Sequence, residues 1–234
     1  MAGANAACPA RDCGLIGFST GGKRSIPLVL MIKFLSAKRE QCKNKMRKVP
    51  LAKFCAALYK QAMLTVVLEC QDQESELAQT LSVLVAGAVE GLVSDVVVLD
   101  HGSRDGTARV ADAAGCRFHS QWDIKDIIRS ARGEWLLFVE PGARPQAGWI
   151  DEVSEYVALN KVSARFTASR GYRRPFFQRV GRARPPLELG LLMPKKLAVS
   201  AAKSGMRLTE FVKAQKPRQL SSELIPSWVA RAAR

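Results

Sequence analysis

Histidine is almost absent from this 234-residue chain: His101 and His119 are the only two. A histidine-rich metal site is excluded by count. The six cysteines (Cys8, Cys13, Cys42, Cys55, Cys70 and Cys116) include no CxxC pair and no histidines at zinc-ligand spacing. That leaves ordinary reduced thiols. No apolar run approaches the roughly 18–20 residues of a membrane span. The longest candidate near the start, IPLVLMI at Ile26–Ile32, is short and is followed by Lys33. It also lies late and lacks a clean small-residue cleavage site, so it makes a poor signal peptide. A cytoplasmic protein is expected. Aspartate, finally, does not occur after Asp151, which limits where a later catalytic acid or base can come from.

What the chain does have is positive charge, unevenly spread. The formal net charge is +15. Residues 1–62 carry 12 Lys and Arg against 2 Asp and Glu; residues 63–163 carry 8 against 16; residues 164–234 carry 16 against 3. An acidic middle between basic flanks is unlike a nucleic-acid-binding face, and no helix-turn-helix, zinc-finger or aromatic-basic RNA motif is present. Nucleic acid is therefore not expected as a partner.

The same three segments differ in pattern. Residues 1–62 have no sustained period, apart from one short helix read in Val49–Met63. They are expected to be a poorly structured basic extension, or an over-long reading frame whose biological start is Met63. From Met63 the pattern sharpens. LTVVLE (Leu64–Glu69), DVVVLD (Asp95–Asp100), CRFH and EWLLFVE (Glu134–Glu140) read as short buried strands. Between them ELAQTLSVLVAGAV, GTARVADAA and IKDIIRSAR (Ile124–Arg132) read as helices, and GWIDEVSEYV follows as another. This alternation predicts an α/β fold with a mostly parallel, helix-covered sheet, whose ligands bind beyond the strand carboxyl ends. Glu69, Asp100 and Glu140 all fall there. Residues 63–160 are expected to be the binding core, and 161–234 a basic segment on the acceptor side. In that segment SARFTAS (Ser163–Ser169) reads as a strand, GYRRPFFQRVGRARPP as a loop, and KKLAVSAAKSG and TEFVKAQK as helices.

The stretch LDHGSRDGT places a strand end at Asp100, a turn at Gly102 and a helix start near Asp105–Thr107. Backbone N–H groups at a helix start favour anions, and Asp100 suits a base imide or a ribose hydroxyl. The plainer alternative is that Asp105 caps the helix and Ser103 shapes the turn. Spacing alone leaves both open.

Three blocks in order, LTVVLECQDQESELAQTL, VVVLDHGSRDGT and ARGEWLLFVEPGARPQAGWIDEV, resemble family-2 glycosyltransferases of the GT-A fold. Those read as a strand ending in Pro-x-Tyr-Asn-Glu, then Val-Val-Asp-Asp-Gly-Ser-x-Asp-Gly-Thr, then a strand ending in Asp-Ala-Asp. The resemblance covers about Met63–Val157. It implies a Rossmann-like sheet with helices on both faces, a nucleotide-diphosphate-sugar donor and transfer with inversion. It places Glu69, Asp72, Asp100, Ser103 and Asp105 against the nucleotide sugar. It also places Glu140 at the first acid of the Asp-x-Asp element, which holds Mg2+ or Mn2+ against the diphosphate. The acceptor is unspecified, with a polysaccharide or lipid-linked one expected.

The departures are specific. His101 replaces the second acid of the Asp-Asp-Gly-Ser block, and Pro141-Gly142 replaces the rest of the metal motif. A lone Glu140 is expected to hold metal weakly, mainly through donor phosphates. The base that deprotonates the acceptor must be a glutamate, and Glu188 is taken ahead of Glu210. Arg173, Arg174, Arg179, Arg182 and Arg184 could clamp phosphates in place of metal, lie peripherally on the anionic inner face of a membrane, or form a solvated loop. Asp100→Ala is expected to abolish donor binding and spare the fold.

Overall fold

The computed structural model describes residues 64–172 and 185–232. The expectations for residues 1–62, and for the five arginines from Arg173 to Arg184, lie outside the described residues. The first strand, β1 (Leu64–Cys70), opens where the apolar pattern sharpens, and all its residues but Glu69 are buried. The elements that follow are α1 (Glu74–Val89), β2 (Val93–Asp100), α2 (Thr107–Ala113), β3 (Arg117–His119) and α3 (Ile124–Ser130). Then come β4 (Trp135–Val139), β5 (Arg144–Pro145), α4 (Trp149–Leu159) and β6 (Ala164–Ala168). The last part holds β7 (Leu191–Pro194), α5 (Lys195–Ala201), α6 (Leu208–Lys213), β8 (Arg218–Ile225) and α7 (Ser227–Ala232).

All eight strands form one sheet in the order β3-β2-β1-β4-β7-β6-β8-β5. The β1–β2, β1–β4, β2–β3 and β6–β8 pairings are parallel, whereas β4–β7, β6–β7 and β5–β8 are antiparallel. The parallel half is the part that reads as continuous Val/Leu runs, as expected of strands covered on both faces. Alternation along the strands sends Val66, Leu68, Val98 and Leu137 into one core, with Leu77, Leu81 and Leu84 of α1 and Trp149 and Val153 of α4. Val67, Val97, Leu99, Leu136 and Phe138 face a second core with Ile124 and Ile128 of α3 and Phe211 of α6. Truncating a fully enclosed leucine such as Leu77 to alanine should cost about 2–5 kcal/mol. Helices thus lie on both faces, and the sheet is an α/β sheet of the expected kind.

The last third is more sheet-like than its sequence suggested. The strand read in Ser163–Ser169 is β6, and the helices read after Lys195 and Thr209 are α5 and α6. Helix α5 stops at Ala201, short of Gly205. The two remaining strands, β7 and β8, carry no strong signal of their own. LLMP is only four residues, and RQLSSELI is polar and has only two buried residues.

Candidate functional site

The loops after β1 and β2 are laced together. The Asp72 amide donates to Ser103 Oγ at 2.9 Å, and the Arg104 amide donates back to Asp72 Oδ1 at 2.6 Å. One step along, the Glu74 amide donates to Asp105 Oδ2 at 2.9 Å, and the Gly106 amide returns to Glu74 Oε2 at 3.0 Å. The Gln73 amide reaches Thr107 Oγ1 at 3.2 Å. Each loop therefore satisfies amide groups of the other, over a sequence gap of more than thirty residues. Asp72 is the single described non-glycine residue with positive φ, at 52°, a conformation that Asp tolerates better than most.

Inside the second loop the acids are engaged locally. Asp100 is 4% exposed. Its Oδ2 accepts from the Gly102 and Ser103 amides at 2.9 Å, and its Oδ1 from the Ser103 hydroxyl at 2.5 Å. Asp105 Oδ1 accepts from the Thr107 amide at 2.9 Å and its hydroxyl at 2.5 Å. Desolvation would raise the Asp105 carboxyl, but the bonds from Thr107 and the Glu74 amide outweigh it and hold the group below the usual carboxylate range. Both acids thus brace this turn, and the residue that caps α2 is Gly106 rather than Asp105. An open depression of about 820 Å3 lies beside this lacing, between the first turns of α1 and α2, and Asp72, Arg104 and Asp105 line it.

Glu69 and Asp100 end adjacent strands but point to opposite faces. The register pairs Cys70 with Asp100 and Glu69 with Leu99. Asp100 therefore shares a face with the α1 core, and Glu69 shares the face of the second core. There Glu69 Oε1 meets His101 Nε2 at 2.5 Å, and the His101 ring stands edge-on to Trp122 with centroids 5.3 Å apart. His101, where the motif that this stretch resembles has a second acid, is thus paired with the acid of the first strand.

The EPG stretch follows β4. Gly142 has φ of 91°, and a Cβ there would lie 2.9 Å from Ala230 Cβ and 3.1 Å from the Ser227 carbonyl of α7. Its amide donates to Thr80 Oγ1 at 2.8 Å and to the Glu76 carbonyl at 3.0 Å. The turn is pinned between α1 and α7. Position 142, where the second acid of a metal pair would stand, has room for no side chain. The remaining acid, Glu140, accepts from Ser227 Oγ and, at 3.3 Å, from Arg231 Nη2. Among the described residues no group of three or more His, Cys, Asp and Glu is placed to hold a metal. The donor set at Glu140 is one carboxylate already facing a guanidinium. It does not fit a resident Mg2+ or Mn2+, which requires several oxygen ligands.

Glu188 sits in the tight turn just before β7. Leu191 pairs with Phe138, which brings this turn over the carboxyl end of β4. Gly190 lies close enough there that a Cβ would meet Val139 Cγ1 at 3.0 Å. Glu188 is 8% exposed. Glu210 is exposed on α6.

The structure therefore gathers Asp72, Ser103 and Asp105 into one laced rim beside Asp100. Glu69 lies across the sheet edge from that rim, and Glu140 and Glu188 lie at the end of β4. Sequence reading missed Glu74 and Thr107 in the lacing, and Ser227 and Arg231 at Glu140. Glu74 and Thr107 lie inside the quoted motifs and were within reach. Arg231 lies 91 residues from Glu140, and no spacing could have linked them. No described helix is long and apolar enough to cross a membrane.

No family model matches this chain, and no curated protein matches its sequence. Solved structures do resemble it. Glucosyl-3-phosphoglycerate synthase from Mycobacterium tuberculosis, in complex with phosphoglyceric acid, superposes with a TM-score of 0.50 at 17% identity, over 73% of this chain and 74% of that one. The same enzyme with Mn2+, uridine-diphosphate-glucose and phosphoglyceric acid gives a TM-score of 0.50 at 18% identity, over 73% of each chain. At such identity the likeness speaks to architecture: the chain has the GT-A fold of nucleotide-sugar glycosyltransferases.

Proposed function

We propose that this protein is a glycosyltransferase that moves a sugar from a nucleoside-diphosphate donor to an acceptor hydroxyl, with inversion. The observation that supports it best is the laced rim at the carboxyl ends of β1 and β2 in a sheet of this fold, the place where α/β sheets bind ligands. Asp72, Ser103 and Asp105 fix the rim, Asp100 anchors its turn, and Glu69 with His101 stands on the other face of the sheet. The rim residues hold the nucleotide part of the donor. Glu188, at the end of β4, is the base. It takes the proton of the acceptor hydroxyl as that oxygen bonds to the anomeric carbon, while the bond from that carbon to the diphosphate oxygen breaks and the nucleoside diphosphate leaves.

Thermal-shift measurements with a panel of nucleotides and nucleotide sugars test the binding step. A bound ligand raises apparent stability by RT ln(1 + [L]/Kd), so a uridine diphosphate at a hundred times its Kd should add about 2.7 kcal/mol. Turnover is tested by release of the nucleoside diphosphate with phosphoglyceric acid, polysaccharide or lipid-linked acceptors. Glu188→Gln should lower kcat and leave donor binding intact. Binding without turnover on any acceptor would favour the second reading, a relative that binds the donor only.

A further inference from the structure

The Glu140 cluster is not a vestigial metal site; we infer that it is a mount for Arg231, whose guanidinium takes the place of a divalent cation against the donor diphosphate. This rests on the nucleotide-sugar reading above and names what that site uses to meet phosphate charge. Three observations support it. The first is steric: with Gly142 packed against Ala230 and Ser227, no second carboxylate can enter the motif. The second is the state of Glu140. Its Oε2 accepts from Ser227 Oγ and from Arg231 Nη2, and Arg231 Nη2 also reaches Ser227 Oγ at 3.1 Å. A carboxylate so placed orients a cation that the protein supplies itself.

The third is exposure. The Arg231 side chain is 52% exposed and that of Glu140 only 20%. Among the described residues only Nη2 of the guanidinium is engaged. Nε and Nη1 remain to bind, and a planar guanidinium suits bidentate contact with phosphate. The position is also apt. The first turn of α1 joins the two parts, since the Glu74 carboxylate holds the Gly106 amide of the rim and the Glu76 carbonyl holds the Gly142 amide beside α7. The rim and the EPG turn, whose Glu140 holds the guanidinium, are thus both tied to one helical turn of α1. A leaving diphosphate needs its charge offset by something, and Arg231 is the described cation tied to the metal-motif position.

Calorimetric titration of the full chain with uridine diphosphate and with uridine, in chelator and in added Mn2+, tests this. The expected result is uridine diphosphate binding that survives chelation and changes little with Mn2+. Arg231→Ala should weaken it about tenfold or more, one good charge-assisted contact, and leave uridine binding unchanged. Arg231→Lys should fall between, because it keeps charge and loses the fork. Glu140→Gln should weaken binding less than Arg231→Ala does, again without creating or removing a metal dependence. Binding abolished by chelation and indifferent to Arg231→Ala would overturn the proposal and make Glu140 a metal ligand. So would equal losses for uridine and uridine diphosphate in Arg231→Ala, since the contact would then not be to phosphate. Uridine diphosphate binding that persists with an intact Arg231 dependence sustains it. Failure of wild-type protein to bind any nucleoside diphosphate, with or without metal, would instead sink the donor reading itself, and this proposal with it.

Discussion

Ser103 holds the Asp100 carboxylate at both oxygens, through its amide at 2.9 Å and its hydroxyl at 2.5 Å. With the Gly102 amide added, three donors converge on an acid that water scarcely reaches. A buried acceptor so engaged cannot be removed without orphaning its donors, each a cost of about 1–3 kcal/mol. Asp100→Ala should therefore destabilise the protein by about 2–3 kcal/mol, where the sequence alone suggested a change that spares the fold. Asp100→Asn, which keeps one acceptor, should cost less. Urea unfolding followed by circular dichroism decides it. An Asp100→Ala midpoint equal to wild type would show that the turn holds without its carboxylate.

Acid should loosen this lacing and two other contacts between distant segments. Asp105, Asp123 and Glu152 all sit below their ordinary values. For Asp123 the largest cause is the Gly205 amide, which donates to it at 2.6 Å across 82 residues. For Asp105 and Glu152 desolvation raises the carboxyl, and hydrogen bonds from Thr107 and from Ser221 and Ser222 outweigh it. A depressed folded value means that the unfolded chain takes up protons first. The stability these groups contribute is thus complete above about pH 4–5, the ordinary carboxylate range, and is lost as pH falls through the lower folded values. Unfolding midpoints should be insensitive to these groups from pH 5 to 7 and fall steeply below pH 4. The triple variant Asp105→Asn, Asp123→Asn, Glu152→Gln should be weaker at neutral pH but show a shallower acid limb. An acid limb as steep as wild type would assign the loss to other groups.

How much of this was legible beforehand depends on the range of the interaction. The parallel half was readable because LTVVLE, DVVVLD and EWLLFVE each announce a buried strand within a few residues, and the helices between them follow one apolar period. Strand β8 was not readable. RQLSSELI earns its place by pairing with β6 and β5 and by Ser221 and Ser222 amides donating to Glu152 at 2.6 Å, and none of this is encoded in its own pattern. The site divides the same way. Asp72, Asp100, Ser103 and Asp105 belong to compact motifs, and their neighbourhood followed from strand order. The partner of Glu140 came from the far end of the chain, where VARAAR looks like any basic helix. The sequence-based expectation of a cation in place of metal pointed to the cluster around Arg173, and the described structure supplies Arg231 beside Glu140.

The two described cysteines should be unreactive in the folded protein. Burial first, then the charges of Asp100 and other neighbours, pushes the Cys70 thiol up to about 12, and burial with Asp95 does the same to Cys116. Since the thiolate is the reacting form, iodoacetamide at pH 8 should leave both peptides unmodified by mass spectrometry until denaturant is added. Rapid alkylation of Cys70 in native protein would mean that the carboxyl end of β1 opens readily.

Gly142 offers the sharpest test of why the metal motif departs from its pattern. A simple repair, Gly142→Asp, restores the missing acid on paper. The left-handed φ of 91° disfavours any side chain there, at a cost of about 1–3 kcal/mol. A Cβ 2.9 Å from Ala230 and 3.1 Å from the Ser227 carbonyl must also push α7 away, and α7 carries Arg231. The repair should therefore lower the melting temperature, weaken uridine diphosphate binding in chelator, and confer no Mn2+ dependence. Gly142→Ala, which adds the Cβ without the acid, should show most of the same loss of stability, because the carbon and the φ are what the site refuses. Differential scanning calorimetry with and without Mn2+ separates the cases. A Gly142→Asp protein that melts at the wild-type temperature and gains stability on adding Mn2+ would show that the turn can relax into a metal pair, and that packing against α7 is not what keeps the second carboxylate out.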